Sequence, residues 1–423
     1  MDTAKALGQQ YRPRVIDGPL HRALQSAGAV VLEGARATGK TMTGLNAAAS
    51  YIFIDDPEAR QLMDIAPRSV LDGSSPRLLD EWQVAPDLWN LVRRSVDASA
   101  EPGRFILTGS AVPTDDATRH TGAGRFLRIH LRTMSWWEKL PSPLASVSLA
   151  QLFDGSHPAT NLGVASTLAD TIERLLVPGF PGLSRLEPTQ SADRLRSYID
   201  DVARIDIQRI ADVRHNPAVI KQLISAVARS VASPVSYRTL AADLRTVAPT
   251  IDVETISAYV NLLQRLFIIE AQPPWTPRLR SRARIRTSPK LHLVDPALAA
   301  AALGAGPDRL ASDLATLGVL FESAAVHDLT VLTSAIGGEV AHYRDSNGHE
   351  IDAVLTLPDG RWAAVEVKLG GAQIATGVGS LREALAQVDA DTPPAFRLVI
   401  TGTGPILATE DGTITAPLHA LAP

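Results

Sequence analysis

The stretch that decides the fold is residues 29–41, AVVLEGARATGKT. An apolar run, Ala29 to Leu32, leads into GARATGKT, which matches the pattern G-x-x-x-x-G-K-[ST]. In this pattern a buried strand ends, glycines let backbone N–H groups turn inward around an anion, and a helix begins with its positive dipole end facing that anion. The stretch therefore predicts a phosphate-binding loop and a bound nucleotide.

Each residue of this loop has an expected role at ATP. Lys40 is expected to reach the β- and γ-phosphates, and the Thr41 hydroxyl to ligate Mg²⁺. The remaining residues of the octet are expected to line the phosphates: Gly34, Ala35, Arg36, Ala37, Thr38 and Gly39.

Length and composition bound the class of protein. A chain of 423 residues is too long for one core and predicts two to four domains. The net charge of −4 gives no global nucleic-acid signature, so any such contact must come from a local patch. The absence of cysteine excludes disulfides and cysteine-ligated metal centres. We see no apolar signal-peptide core and no run of the ~18–20 apolar residues that span a bilayer, so we expect a cytoplasmic protein that does not enter a membrane.

A further apolar strand ends in two acids about 40 residues beyond the loop, in Pro76–Gln83, PRLLDEWQ. Asp80 is expected to hold Mg²⁺ through water. Glu81 is expected to orient and deprotonate the attacking water, since hydrolysis needs a base in line with the γ-phosphate. By itself an Asp-Glu pair is also typical of a helix start, and the phosphate loop favours the catalytic interpretation.

Two further segments offer candidate phosphate contacts. The strand Phe105–Ser110, FILTGS, ends in hydroxyls, so Thr108 or Ser110 could contact the γ-phosphate or the attacking water; capping the strand end is the alternative. Arg125 lies in the glycine setting HTGAGRF and could deliver charge to a phosphate in cis or in trans; a solvated loop arginine is the alternative.

The alternation of strands with helices predicts an α/β domain, a parallel sheet with helices on both faces. The combination GARATGKT, LLDEWQ, FILTGSA and GRFLRIHLRTMSWWE resembles bacterial AAA-type ATPases whose C-terminal half carries a domain of unknown function. The resemblance covers nearly the whole chain and implies an AAA+ core, with Gly34–Thr41 as Walker A and Asp80–Glu81 as Walker B. The pair Arg36–Ala37 departs from relatives, which are often more basic there. Both a monomer and an AAA+-type oligomer are compatible with these motifs.

The sequence pattern in the middle of the chain predicts two modules. Residues 146–215 form a helical connector, in which Ser191–Ile210 is expected to be one long amphipathic helix with Leu195, Ile199, Val202 and Ile205 inward. Residues 216–305 predict three helices and a strand at 267–269, the order of a winged-helix module. Its third helix could enter a DNA groove or serve as a scaffold.

An arginine ladder follows that third helix. If the segment is extended, five guanidinium groups project from one face, where phosphates would neutralise them. A solvated strand, or one neutralised by acids of another domain, is the alternative to nucleic-acid contact. The five residues are Arg278, Arg280, Arg282, Arg284 and Arg286.

Residues 306–423 predict the order α-β-β-β-α-β, which is typical of restriction-endonuclease-like domains. Asp352 on the second strand, and Glu366 and Lys368 on the third, fit the carboxylate and Glu-x-Lys signature of such nucleases. The two carboxylates would hold Mg²⁺ or Mn²⁺, Lys368 would position the nucleophile, and Glu322 could complete the ligand set. The fold also serves as an inactive binding platform.

The sequence therefore predicts four domains, 1–145, 146–215, 216–305 and 306–423: ATPase, connector, winged helix and nuclease-like. One hypothesis is an ATPase coupled to nucleic-acid binding and to metal-dependent cleavage of DNA or RNA. The other is a regulatory or defence ATPase whose C-terminal half only binds nucleic acid or protein. A small-molecule kinase finds less support.

Overall fold

The structure, a computed structural model, describes residues 11–99, 101–110, 122–139, 146–163, 166–210, 216–277 and 288–423, without the side chains of 209 and 210. The chain forms two compact units. The first comprises Met1–Thr133, Asp206–Val213 and Leu262–Ile268, and the second Met134–Ile205, Arg214–Asn261 and Ile269–Pro423. The division into four domains stays a prediction.

The first unit contains a parallel sheet of five strands, which are β1 Ala29–Glu33, β2 Ser50–Phe53, β3 Arg77–Asp80, β4 Phe105–Gly109 and β5 Phe126–His130. Their order across the sheet is β2-β3-β4-β1-β5, and every neighbouring pair is parallel. Because parallel strands end at one edge of a sheet, the segments that follow β1, β3 and β4 meet at that edge. The predicted α/β sheet is confirmed.

Helices cover both faces of this sheet: α1 Asp17–Leu24, α2 Lys40–Ala47, α3 Pro57–Ile65 and α4 Leu88–Asp97. Val30 packs on one face with Leu20 and Leu45, from α1 and α2. Val31 packs on the other face with Trp89 from α4. Successive strand residues point to opposite faces, so the continuous apolar run of β1 is what a strand buried on both faces requires.

Twelve further helices follow the first sheet in the described part of the chain. They are α5 Trp136–Lys139, α6 Leu149–Phe153, α7 Leu168–Leu176, α8 Pro188–Asp201, α9 Ile207–Ile210, α10 Pro217–Arg229, α11 Tyr237–Leu244, α12 Val253–Arg265, α13 Pro296–Ala302, α14 Pro307–Ser312, α15 Leu314–Ser334 and α16 Ile374–Leu385. A short strand, β6 Val147–Ser148, pairs in parallel with β15 Leu421–Ala422.

The long helix expected over Ser191–Ile210 is interrupted, which corrects that prediction. A π-helical turn, Val202–Asp206, separates α8 from α9. A π turn contains one more residue than an α turn, so the apolar positions after it fall out of register. Ile205, expected to face inward, is 43% exposed, whereas Asp206 is buried.

The three helices expected after residue 216 are α10, α11 and α12, and Ser236 caps α11 by accepting a hydrogen bond from the Thr239 N–H. The strand expected at 267–269 begins at its last residue, as β7 Ile269–Gln272, and pairs antiparallel with β8 Lys290–Leu293. Assignment as a winged helix stays a prediction. The arginine ladder, Arg278 to Arg286, lies outside the described residues.

The second unit contains a mixed sheet of six strands, which are β9 Glu339–Arg344, β10 Glu350–Thr356, β11 Trp362–Lys368, β12 Arg397–Thr401, β13 Leu407–Ala408 and β14 Ile414–Pro417. Their order is β13-β14-β12-β11-β10-β9. Strands β9 to β11 form an antiparallel meander, and α16 then crosses over to β12, which is parallel to β11. The predicted order α-β-β-β-α-β is the one observed from α15 onwards.

Helix α15 corrects the expectation about apolar windows. It has 21 residues, and a window within it has a mean hydropathy of 1.3, enough by length and composition to cross a membrane. Its buried residues include Ser323, His327 and Asp328, and it packs against β9, β10 and β11. Buried polar side chains of this kind and packing on a sheet describe the core helix of a globular unit.

Candidate nucleotide site and acidic site

The phosphate-binding loop lies between β1 and α2, where the sequence places it. A Cβ atom at Gly34 would lie 2.2 Å from the carbonyl oxygen of Leu131, so the loop approaches the end of β5 too closely for any side chain at that position. Gly39 has φ 99°, a left-handed conformation that favours glycine, and α2 begins at the next residue. Local geometry therefore explains both glycines of the motif.

Lys40 lies inside the loop. Its Nζ donates to the carbonyl oxygens of Gly34, at 2.9 Å, and Ala35, at 2.7 Å. Burial lowers the pKa of Lys40 to about 8, although the charges of Glu81 and Asp80 act in the opposite direction. The ammonium group is thus held at the start of the loop, in the position from which a lysine reaches phosphates.

Asp80 and Thr41 meet at the carboxyl edge of the sheet. The Thr41 hydroxyl donates to Asp80 Oδ1 at 3.0 Å, and the Thr108 hydroxyl donates to the same oxygen. Because β4 lies between β1 and β3, Thr108 is brought beside Asp80, 28 residues away in sequence. Burial raises the pKa of Asp80 to about 6, and the hydrogen bonds from Thr108 and Thr41 oppose that rise. These hydroxyl and carboxylate oxygens are the donors that Mg²⁺ prefers.

Glu81 directly follows β3 in a left-handed conformation, with φ 54°. Its N–H donates to the Thr108 hydroxyl at 3.4 Å, and its carboxylate accepts a hydrogen bond from the side-chain amide of Gln83. A non-glycine residue in this conformation is uncommon and costs about 1 kcal/mol or more. The strained backbone turns the Glu81 carboxylate away from the direction of the strand, toward Gln83.

The structure contradicts the placement of Arg125 at the phosphates in cis. Its carbonyl oxygen accepts from the N–H of Ala29, so Arg125 lies at the amino edge of the sheet. The loop follows the carboxyl end of β1, whose five residues separate the two edges by about 16 Å. Arg125 instead pairs with Asp97, at 2.8 Å. Delivery in trans stays a prediction, as does a phosphate contact from Ser110, which is half-buried directly after β4.

Two residues that sequence reasoning missed hold the loop. Arg14 is buried and donates to the carbonyl oxygens of Thr38 and Arg132, each at 2.9 Å. Asp206, turned inward by the π turn, accepts from the Arg36 guanidinium at 3.0 Å. The two arginines in Tyr11–Arg14 could have indicated a structural role for Arg14. No local pattern in the sequence indicates a role for Asp206.

A second group of charged residues lies in the second unit. The pairing between β9 and β10 shifts register between Ile351 and Val354, and this bulge contains Asp352. A bulge redirects a side chain and interrupts regular pairing. Asp352 Oδ2 accepts from the Val367 N–H of β11 at 2.8 Å. The predicted proximity of Asp352 to the Glu-x-Lys strand is therefore observed.

Lys368 Nζ lies 2.7 Å from Glu366 Oε1, and the other carboxylate oxygen of Glu366 is buried and accepts no hydrogen bond from any described residue. Glu322 of α15 joins the group through Lys290 Nζ, at 2.9 Å, and the same ammonium lies 4.0 Å from Asp352 Oδ1. Together these five residues, Lys290, Glu322, Asp352, Glu366 and Lys368, form what we term the acidic site. Lys290 is the member that sequence reasoning did not assign to it.

The acidic site concentrates negative charge in a buried setting. Burial raises the pKa of Glu322 and of Glu366, and the charge of Asp352 raises both further. Yet no three Asp, Glu or His side chains in the described part of the chain converge closely enough to hold a metal ion. The predicted ligands Glu322, Asp352 and Glu366 are assembled in one place, but ammonium groups lie between them.

Comparison with known families assigns part of the chain. Residues 26–140 match the model of an AAA domain, residues 168–309 match a domain of unknown function, DUF8612, and residues 317–421 match another, DUF4143. With the loop and the parallel sheet described above, residues 26–140 form a P-loop ATPase domain of the AAA type.

The chain is similar to two mycobacterial proteins, the uncharacterized proteins Rv2008c of Mycobacterium tuberculosis and Mb2031c of Mycobacterium bovis. Each is 28% identical over 358 residues, 82% of this chain and 72% of the relative. Among solved structures, the Walker-type ATPase Paby2304 of Pyrococcus abyssi aligns with a TM-score of 0.39 at 14% identity, over 69% of this chain and 99% of that one. The FIGL-1 AAA domain in complex with ADP aligns with a TM-score of 0.24 at 18% identity, over 62% and 87%. Both TM-scores are below 0.5, so neither structure adds to the assignment.

Proposed function

We propose that this protein hydrolyses ATP with Mg²⁺ at the carboxyl edge of its first sheet and uses the cycle to act on nucleic acid. The observation that carries the first part is the contact between Thr41 and Asp80, whose oxygens lie 3.0 Å apart beside the phosphate loop. Mg²⁺ bound to ATP would neutralise charge on the β- and γ-phosphates.

The residues of the site would each have a separate role in binding ATP and activating water. Lys40 and the loop N–H groups hold the triphosphate, while Thr41 and Asp80 supply the oxygen donors for the cation. Glu81 orients and deprotonates water, and Gln83 limits where the Glu81 carboxylate can point. Thr108 donates to Asp80, which keeps that carboxylate facing Thr41.

The second part of the proposal concerns the acidic site. Asp352, Glu366 and Lys368 support metal-dependent cleavage of a phosphodiester, and the specific observation is the buried Glu366 oxygen without a described partner, since a carboxylate in that state suits a cation. Glu322, Asp352 and Glu366 do not converge on one point in the structure, so they would have to move together to hold Mg²⁺ or Mn²⁺. A cation held there would stabilise charge on a phosphate. Lys368, whose side chain is 23% exposed, would position the attacking water or the phosphate.

Nucleic acid is the proposed partner because of the alternating arginines Arg278–Arg286. Only the sequence supports this part of the proposal. The described residues on either side of them lie in the second unit. Trp275 contacts Trp362 in a tilted arrangement with ring centroids 4.6 Å apart, and Lys290 belongs to the acidic site. The alternative function is a regulatory or defence ATPase whose second unit only binds nucleic acid or protein.

Cleavage separates the two hypotheses. Single- and double-stranded DNA and RNA would be incubated with the whole protein and Mg²⁺ or Mn²⁺, beside Asp352→Asn and Lys368→Met, with the exposed Lys221→Met as a matched control. We expect metal-dependent cleavage that both site variants reduce by about 100-fold or more, as removal of a group that stabilises transition-state charge does. Absence of cleavage, or cleavage unchanged in both variants, would leave only the binding function.

A further inference from the structure

Lys290 is a lysine in an unusual position. It is the first residue of β8, a strand whose four residues are all buried, and only 3% of its side chain is exposed. Lys368, the other lysine of the acidic site, is 23% exposed. Solvent and a phosphate can therefore approach Lys368, whereas Lys290 is enclosed by protein.

The partners of Lys290 are carboxylates that the proposed function assigns to a cation. Its Nζ lies 2.9 Å from Glu322 Oε1 and 4.0 Å from Asp352 Oδ1. A buried ammonium is tolerated only where opposite charge compensates for lost hydration. Conversely, the two carboxylates would repel one another without a positive group between them. Lys290 thus occupies a place where positive charge is required.

The hairpin that carries Lys290 also fixes Asp352. Gln272 of β7 is paired with Lys290 in the β7–β8 ladder, and its side-chain amide donates to the carbonyl oxygen of Asp352 at 2.8 Å. The same amide donates to the carbonyl oxygen of Ala341 at 3.1 Å. Backbone pairing with Gln272, and the hydrogen bond from Gln272 to Asp352, consequently fix the position of Lys290 relative to Asp352.

The balance of charges in the acidic site indicates the role of Lys290. Three carboxylates and two ammonium groups are present, so the site carries one net negative charge when all five are ionised. Lys368 pairs with one carboxylate oxygen of Glu366, and the second oxygen has no described partner. Lys290 lies between Glu322 and Asp352. A divalent cation shared by the three carboxylates would have to compete with Lys290.

We propose that Lys290 is a built-in counter-ion, a positioning residue that holds Glu322 and Asp352 together in the absence of a divalent cation and weakens binding of that cation. The inference rests on the proposed assignment of Glu322, Asp352 and Glu366 as cation ligands. It does not require that the protein cleaves nucleic acid.

The test is cation binding, measured by calorimetric titration of Mn²⁺ into the whole protein without nucleotide. Lys290→Met removes the charge and keeps the apolar stem. We expect it to bind Mn²⁺ about tenfold more tightly than the natural protein, since it removes a charge close to the ligands. Lys290→Arg and the exposed Lys221→Met should bind as the natural protein does, and adding Asp352→Asn to Lys290→Met should abolish the gain.

An affinity of Lys290→Met that is no higher than that of the natural protein would overturn the proposal. Thermal unfolding provides a second readout if the variant is unstable, because a ligand that binds only the folded state raises its melting temperature. Mn²⁺ should raise the melting temperature of Lys290→Met more than that of the natural protein, and an equal or smaller rise would contradict the proposal. A failed cleavage assay would reject the nuclease function without affecting either readout.

Discussion

At the scale of single residues, Thr41 is the side chain whose proposed role can be tested most sharply. Its hydroxyl contacts Asp80, and its position directly after Lys40 is the one from which the motif supplies a cation ligand. Replacing Thr41 by valine preserves the branched shape but removes the hydroxyl. We expect Thr41→Val to lower the rate of Mg²⁺-dependent ATP hydrolysis by about 100-fold, and Thr41→Ser to stay within about threefold of the natural protein.

Steady-state phosphate release at saturating ATP checks this expectation. Thr41→Ser serves as the matched control because it retains the oxygen and loses only a methyl group. Equal rates in Thr41→Val and the natural protein would mean that the hydroxyl does not contribute to turnover.

The residues that sequence reasoning found and missed differ in one physical respect. Lys40 and Thr41 belong to one octet, so their geometry follows from the local backbone and could be predicted. Lys290 lies 32 residues from its partner Glu322, and Arg36 lies 170 residues from Asp206. Such pairs depend on how distant elements pack, and no local pattern signals them.

At the scale of elements, the loop after α7 meets the start of α13. Asp295 caps α13 by accepting from the Ala297 N–H at 2.9 Å, and its other carboxylate oxygen accepts from the Gly179 N–H at 2.8 Å. The carbonyl oxygen of Gly179 accepts in turn from the Met134 N–H at 2.7 Å. The turn at residues 178–182, Pro-Gly-Phe-Pro-Gly, and the start of α13 at Asp295 and Pro296 therefore stabilise each other.

This junction gives a prediction with a control in the same turn. A Cβ atom at Gly179 would lie 2.5 Å from the Met134 carbonyl oxygen and 2.7 Å from Asp295 Oδ2, whereas one at Gly182 would meet nothing within 4 Å. We expect Gly179→Ala to lower the free energy of unfolding by about 1–3 kcal/mol, since it displaces buried hydrogen bonds. Gly182→Ala should change it by less than about 0.5 kcal/mol. Denaturant unfolding of both variants measures the difference, and equal stabilities would show that the junction tolerates a side chain.

The elements themselves were predicted with unequal success, for reasons that lie in packing. The strands β1 and β4 begin with continuous apolar runs, and β3 has two leucines between Arg77 and Asp80. Short apolar segments of this kind are typical of strands buried on both faces, so the sequence indicates them directly. The π turn after α8 has no local sequence signature, and its effect, the inward position of Asp206 beside Arg36, involves a residue 170 positions away. Likewise the bulge that redirects Asp352 depends on the pairing of β9 with β10.

At the scale of the whole molecule, buried histidines contribute to the dependence of stability on pH. Burial, followed by the charge of Lys290, lowers the pKa of His292 to about 3, and burial also lowers those of His342 and His419 to about 4. His292 faces Glu270 and His327 as well as His342. Below the ordinary histidine pKa of about 6.5, the unfolded chain binds protons that the folded chain does not. These histidines therefore make a destabilising contribution to the folded state as pH falls below that value.

The contribution of one histidine is best measured as a difference between variants, since the raised pKa values of Asp80, Glu322 and Glu366 act in the opposite direction over part of the same range. We expect the stability advantage of the natural protein over His292→Asn to shrink by up to about 1.4 kcal/mol per pH unit between about pH 6 and 4. The exposed His157→Gln is the control, since it replaces a histidine that is not buried. A pH-independent difference for His292→Asn would contradict a neutral buried imidazole.

The two compact units suggest a division between an ATPase and a second site with its own charges. The first unit contains the phosphate loop, Asp80 and Glu81, and the second contains the whole acidic site. Because the described residues of each site lie within one unit, variants of one site can be studied while the residues of the other are kept intact.

The central claim is that ATP is hydrolysed at the loop that follows β1, with Glu81 as the base. The most direct test is steady-state ATP hydrolysis by the whole protein with Mg²⁺, comparing Lys40→Ala and Glu81→Gln with the exposed Lys221→Ala. The account predicts that hydrolysis falls by about 100-fold or more in the first two variants and is unchanged in the third. Hydrolysis that survives both Lys40→Ala and Glu81→Gln would contradict it.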